Sequence, residues 1–88
     1  MPYIVRSRRK VLDKKLKPLI KELQSGGECC YAIVRILECL LPSLCYSHIA
    51  GAIGVLETAK LELYRRVAAP YEDHKLKESG DVFGRYDV

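Results

Sequence analysis

A chain of 88 residues forms one domain, and a domain this small buries a limited share of its surface; at 49% hydrophobic it carries more apolar surface than its own interior can hide. The surplus predicts burial against further copies of the chain. The net charge is +4: eight basic and two acidic residues through Gln24 give +6, and seven basic and nine acidic residues over the remainder give −2, so the positive potential belongs to the N-terminal segment.

The opening Met1-Pro2-Tyr3-Ile4-Val5-Arg6 lacks the basic-then-apolar layout of a secretory signal, and a cytoplasmic protein is expected. The basic segment, residues 1–12, leads into a first helix. Ser7 and Asp13 are the candidate N-caps, and the helix is expected to end before Gly26-Gly27. Leu12, Leu16, Leu19, Ile20 and Leu23 recur at helical spacing and leave the lysines on the other face. Pro18 fits only a first turn or a kink, which would move the helix start to about Lys17.

A second helix is predicted from about Glu28 to Leu41, stopped by Pro42. At about 100° per residue its charged positions, Glu28, Arg35 and Glu38, fall in a strip roughly 80° wide. A helix apolar around the rest of its circumference needs neighbours on several sides, which places it at the centre of an oligomer. The stretch from Cys39 to Leu56 is free of charge, but Pro42-Ser43 marks a turn within it and argues against a membrane span.

The third helix is expected from Ser47 to about Ala69, kinked or ended by Pro70. Its buried stripe is Ile49, Ala52, Ile53, Leu56, Ala59, Leu63 and Val67, and Ala50, Gly51 and Gly54 suit close helix packing. A short polar helix, Tyr71 to Ser79, then ends at Gly80. The tail, residues 80–88, carries Val82, Phe83, Tyr86 and Val88, apolar enough to lie on a neighbouring subunit. The expected fold class is all-α: a single domain over 1–88, a three-helix protomer with a short C-terminal helix, packed as a homo-oligomeric bundle.

Cys29, Cys30, Cys39 and Cys45 are expected as reduced, mostly buried thiols. Two alternatives are zinc held by Cys39, Cys45, His48 and one of the vicinal pair, although no C-x-x-C spacing exists, and a Cys39–Cys45 disulfide of a hyperthermophile. No phosphate-cradling glycine loop, metal-binding histidine pair or nucleophile triad is present, so no catalytic residue, metal or cofactor is assigned and the chain is read as a non-enzyme. Glu57 and Glu62, about 140° apart on a helix, do not share a metal face.

Three features suit an anion. Lys60 projects into the apolar stripe near Ile53 and Leu56, where it either pairs with Glu57 or meets a ligand. Tyr64-Arg65-Arg66 is either a helix-end device, with arginines on the macrodipole and paired to Glu62, or a phosphate clamp with Tyr64 or Tyr71 stacking on a base. Arg6, Arg8, Arg9 and Lys10 followed by Lys14, Lys15 and Lys17 form a polyanion footprint.

The run from Gly54 through Tyr64-Arg65-Arg66 and Pro70-Tyr71-Glu72-Asp73 to Gly80-Asp81-Val82, with the opening Met1-Pro2-Tyr3-Ile4 and Arg8-Arg9-Lys10, resembles a small all-helical family of bacterial, archaeal and phage proteins. That resemblance covers most of the chain and implies no activity; the family pattern lacks this cysteine set. Ala59, Leu63 or Tyr64, Arg65, Val67 and Pro70 are remotely similar to the closing helix of phage proteins that sequester cyclic oligonucleotide immune signals. This second resemblance implies a non-enzymatic homo-oligomer with ligands between protomers, working in the host cytoplasm.

The expectation is therefore a homo-oligomer binding a small phosphate-bearing ligand through Lys60, Arg65 and Arg66, with Tyr64 and Tyr71 stacking and Arg8 or Arg9 covering the site. The alternatives are a nucleic-acid-binding protein using the basic segment, and a structural or adaptor protein.

Overall fold

The structure, a computed structural model, describes residues 1–84. The described residues form helices joined by short connections: α1 (Arg6–Glu22), α2 (Gly26–Leu37) with a 3₁₀ turn (Glu38–Leu40), and α3 (Tyr46–Leu63). A π turn (Tyr64–Ala68) then carries α3 without a break into α4 (Ala69–Ser79). There is no strand among the described residues.

α1 begins at Arg6, with Val5 as an extended N-cap that offers no side-chain bond. Neither Ser7 nor Asp13 caps it, and Lys17 does not start it. Pro18 sits inside the helix, where it has no N–H to donate to the Lys14 carbonyl, and the helix nevertheless continues to Glu22. The basic segment is thus helical from its sixth residue onward.

α2 opens two residues earlier than its apolar pattern suggests. The Glu28 N–H donates to Ser25 Oγ at 3.1 Å, and the Gln24 N–H donates to Glu28 Oε1 at 2.9 Å. This is a capping-box arrangement, and Ser25-x-x-Glu28 was its readable signal. The helix tightens into the 3₁₀ turn before Pro42.

Pro70 neither ends nor sharply divides the last helix. A proline has no N–H and crowds the carbonyl one turn back, but here the preceding turn is widened: the Ala69 N–H bonds to the Tyr64 carbonyl, five residues earlier. The wider pitch relieves the crowding, and Pro70 falls at the start of α4, where its missing donor is tolerated. The expected short fourth helix is therefore a continuation of the third, from 46 to 79, a rod about 50 Å long. It stops at Gly80, whose φ of 87° is open to glycine and whose N–H bonds to the Leu76 carbonyl at 2.8 Å.

These rods do not close on a core. Ala52 is the one buried hydrophobic among the described residues. The radius of gyration is 17.7 Å, against about 12 Å for a compact chain of this length. The accessible surface is 8135 Å², about 2,900 Å² above the ~5,200 Å² of a compact monomer of this mass. Extensive close backbone contacts join only elements that are neighbours in sequence. Between α2 and α3 lies an apolar groove of about 230 Å³ lined by Val34, Leu37, Leu41, Ile49, Ile53 and Leu56. Of the expected buried stripe of α3, Ala52 is buried, whereas Ile49, Ile53, Leu56, Leu63 and Val67 are exposed, Ile53 to 63%.

The four cysteines are all free and exposed rather than buried, because the protomer has no interior to take them. Val82 and Phe83 of the tail are exposed as well, and Tyr86 and Val88 lie outside the described residues. Among the described residues, no helix is long and apolar enough to cross a membrane.

Candidate functional site

The uninterrupted helix from 46 to 79 positions most of the residues singled out for an anion, and the π turn sets their directions. Lys60 and Tyr64, one turn apart at the end of α3, flank a shallow concavity of about 430 Å³. Its remaining lining is Leu61, Leu63 and Ala68. Lys60 is not buried; its Nζ stands 3.5 Å from Glu57 Oε1, and both side chains are more than half exposed, so this pair holds the lysine only loosely.

The phenol of Tyr64 is directed toward the acidic start of α4. The Glu72 carboxylate beside it, reinforced by Asp73, raises its pKa above the ordinary tyrosine value. The hydroxyl therefore stays protonated and keeps a donor, and that rim of the concavity is electronegative. An anionic group is favoured at the Lys60 rim instead.

Arg65 is occupied. Its Nη2 donates to Glu62 Oε1 at 3.0 Å and to the Tyr3 hydroxyl at 3.1 Å, while the Tyr3 hydroxyl donates to the same Glu62 oxygen. Glu62 is mostly covered, with 20% of its side chain exposed. Three residues from opposite ends of the chain thus pin the N-terminal strand of backbone to the long helix. The pairing of Arg65 with Glu62 matches one sequence reading. The helix-end role does not survive, since the helix runs on to Ser79 and no C-terminal dipole exists at residues 65–66.

Arg66 is exposed and has no hydrogen-bond or ion-pair partner among the described residues. Tyr71 has one face taken by Lys75, whose Nζ lies 5.7 Å from the ring centroid. Arg9 donates from Nε to the Ile4 carbonyl at 2.6 Å, bracing the start of α1, and the Arg8 side chain has no partner among the described residues. Of the seven predicted ligand residues, only Lys60 and Tyr64 line a common concavity within one protomer.

A second polar cluster sits at the N-terminus of α3, where sequence reasoning saw a buried thiol at Cys45, with zinc ligation or a disulfide to Cys39 as alternatives. His48 Nδ1 lies 3.2 Å from Cys45 Sγ and 3.1 Å from the Ser43 carbonyl, and Ser47 Oγ is 3.3 Å from the same sulfur. No three His, Cys, Asp or Glu side chains stand close enough to share a metal among the described residues, and Cys39 and Cys45 are not joined. The Ser47 hydroxyl, helped by the His48 backbone N–H and Ser43, holds the Cys45 thiol below its ordinary range. Its thiolate therefore forms at lower pH than that of an unperturbed cysteine. Iodoacetamide at pH 7.5 is expected to label Cys45 ahead of Cys29, Cys30 and Cys39, and Ser47→Ala to slow it several-fold. Equal labelling of all four, read by peptide mass mapping, would contradict the assignment.

Residues 1–82 match the family described as a domain of unknown function, DUF6899. No curated protein and no solved structure matches the chain.

Proposed function

The chain belongs to the DUF6899 family, and from that premise we propose that it is a homo-oligomeric binding protein, without chemistry of its own, that takes a small phosphate-bearing ligand where protomers meet. The observation that carries this reading is the concavity flanked by Lys60 and Tyr64. Its volume falls in the range of small-ligand sites, its lining is wholly apolar, and it is flanked by the aliphatic stem of Lys60, whose ammonium lies beyond the lining near Glu57, and by the ring of Tyr64. An aromatic base laid against Tyr64 would find the Glu72 carboxylate near its edge, and a phosphate would lie toward Lys60.

One protomer offers only half of such a site. Arg66 and Arg8, unpartnered among the described residues, are side chains available to complete it from a second copy, whereas Arg65 and Arg9 already serve internal bonds. The apolar excess surface supports the same assembly. A cyclic nucleotide signal, sequestered in an anti-defence role in the cytoplasm of a phage-infected host, is the biological form of this proposal.

Native mass spectrometry of gently purified protein titrated with cyclic di- and trinucleotides tests it. The expected result is a symmetric oligomer carrying stoichiometric adducts. Lys60→Ala or Arg66→Ala should weaken binding about 10- to 100-fold, the worth of one charge-assisted hydrogen bond, with the oligomer intact. Undiminished affinity in both variants would remove the site. An oligomer that takes no nucleotide would leave the adaptor reading in its place.

A further inference from the structure

α1 carries eight basic side chains, and none of them forms an ion pair among the described residues. Five of them are not scattered. At about 100° per residue, Arg6, Lys10, Lys14, Lys17 and Lys21 all fall within about 80° of one another. They form a straight stripe along the helix, about 22 Å from end to end at 1.5 Å rise per residue. All five are exposed. Asp13 borders the stripe and is the one acid on that side; Glu22 lies well off it.

We infer that this stripe docks on the sugar-phosphate backbone of a nucleic-acid duplex. A duplex strand places one phosphate per about 3.4 Å of axis, so a 22 Å length of duplex carries about six phosphates on each winding strand, and the flexible lysine stems reach those of either strand that face the stripe. Few other partners present a row of like charges at so regular an interval. A lipid surface fits less well, because an interfacial helix must sink its apolar side into the headgroups. Here part of that side is engaged within the chain: Leu19 and Leu23 line a concavity with Tyr31, Ala32 and Ile36 of α2. Side chains that follow the backbone meet phosphate oxygens and not base edges, so the contact is independent of sequence. This inference does not depend on the nucleotide-ligand proposal, since it uses none of the same residues.

The test is fluorescence anisotropy of a labelled 20-base-pair DNA duplex of arbitrary sequence, titrated at several salt concentrations between 50 and 200 mM. Neutralising four to five phosphates gives a slope of log affinity on log salt near −4, a loss of about 10²- to 10³-fold across that range. The triple variant Lys10→Gln, Lys14→Gln, Lys17→Gln should flatten the slope by about 2.7, and Asp13→Asn should raise affinity. Lysine and glutamine have similar helix propensity, so α1 persists, which far-ultraviolet circular dichroism verifies. Lys60→Ala and Arg66→Ala should leave duplex binding unchanged. No binding at 50 mM salt, or a slope unaltered by the triple variant, would overturn the inference. So would preferential binding to phosphatidylserine–phosphatidylcholine vesicles, which would assign the stripe to lipid.

Discussion

Ile53→Asp is expected to dissociate the protein and to lower its stability by several kcal/mol. In the protomer Ile53 is 63% exposed, on the rim of the groove between α2 and α3. If the protomer worked alone, a substitution there would change stability by no more than about 0.5 kcal/mol. In the proposed assembly, the change instead removes the burial of an isoleucine, worth about 1.5–3 kcal/mol. It also puts a carboxylate into an apolar interface, at a further cost of several kcal/mol. Because each protomer contributes the same surface to a symmetric interface, the loss is repeated in every copy. Size-exclusion chromatography with light scattering and urea unfolding read the two consequences together. A variant with native mass and native midpoint would show that the α2–α3 groove faces water.

Pro18→Ala is expected to stabilise the protein, by up to about 3 kcal/mol. Pro18 lies in the second half of α1, exposed, with no packing for alanine to lose. The substitution restores a backbone donor to the Lys14 carbonyl and removes the ring that crowds it. Each kcal/mol corresponds to about 4–8 °C of melting temperature in a domain of this size, so a rise of several degrees is the expected reading. A fall instead would mean that the ring packs against a neighbouring protomer and that this part of α1 belongs to the interface.

The two prolines also explain where sequence reasoning stopped. Apolar spacing located the first three helices, because each keeps a largely apolar face over several turns, while the last stretch was read from its polar composition and Gly80. Their ends were less legible. Pro18 and Pro70 read as breaks under a fixed pitch of 3.6 residues, whereas the chain keeps α1 whole through Pro18 and widens one turn ahead of Pro70, with Ala69 bonding back to Tyr64. That widening moved Arg65 and Arg66 from a supposed helix end to the middle of a long helix. The start of α2 was missed for a local reason, since Ser25 and Glu28 form the box while Gly26 and Gly27 read as a stop.

The candidate site was legible as a list of side chains and not as an arrangement. The bearing of Lys60 beside Ile53 and Leu56 follows from helical geometry alone, as does its pairing with Glu57. The bond between Tyr3 and Glu62 spans 59 residues of sequence and has no local signature, so the spacing offered Glu62 to Arg65 or Arg66 alike and did not show that Tyr3 joins the pair with Arg65. Burial was overestimated for the cysteines and for Lys60 because an apolar pattern states that a surface must be covered, not which copy of the chain covers it. The extended shape, with a radius of gyration of 17.7 Å, leaves that surface uncovered within one chain.

Sedimentation equilibrium of the wild-type chain across a wide protein concentration range, paired with thermal unfolding at the same concentrations, tests the proposed assembly most directly. The account predicts a single symmetric oligomer at micromolar concentration and a melting temperature that climbs with concentration, as linkage requires when folding and association are coupled. A monomer at every concentration, melting cooperatively at one fixed temperature, would contradict it.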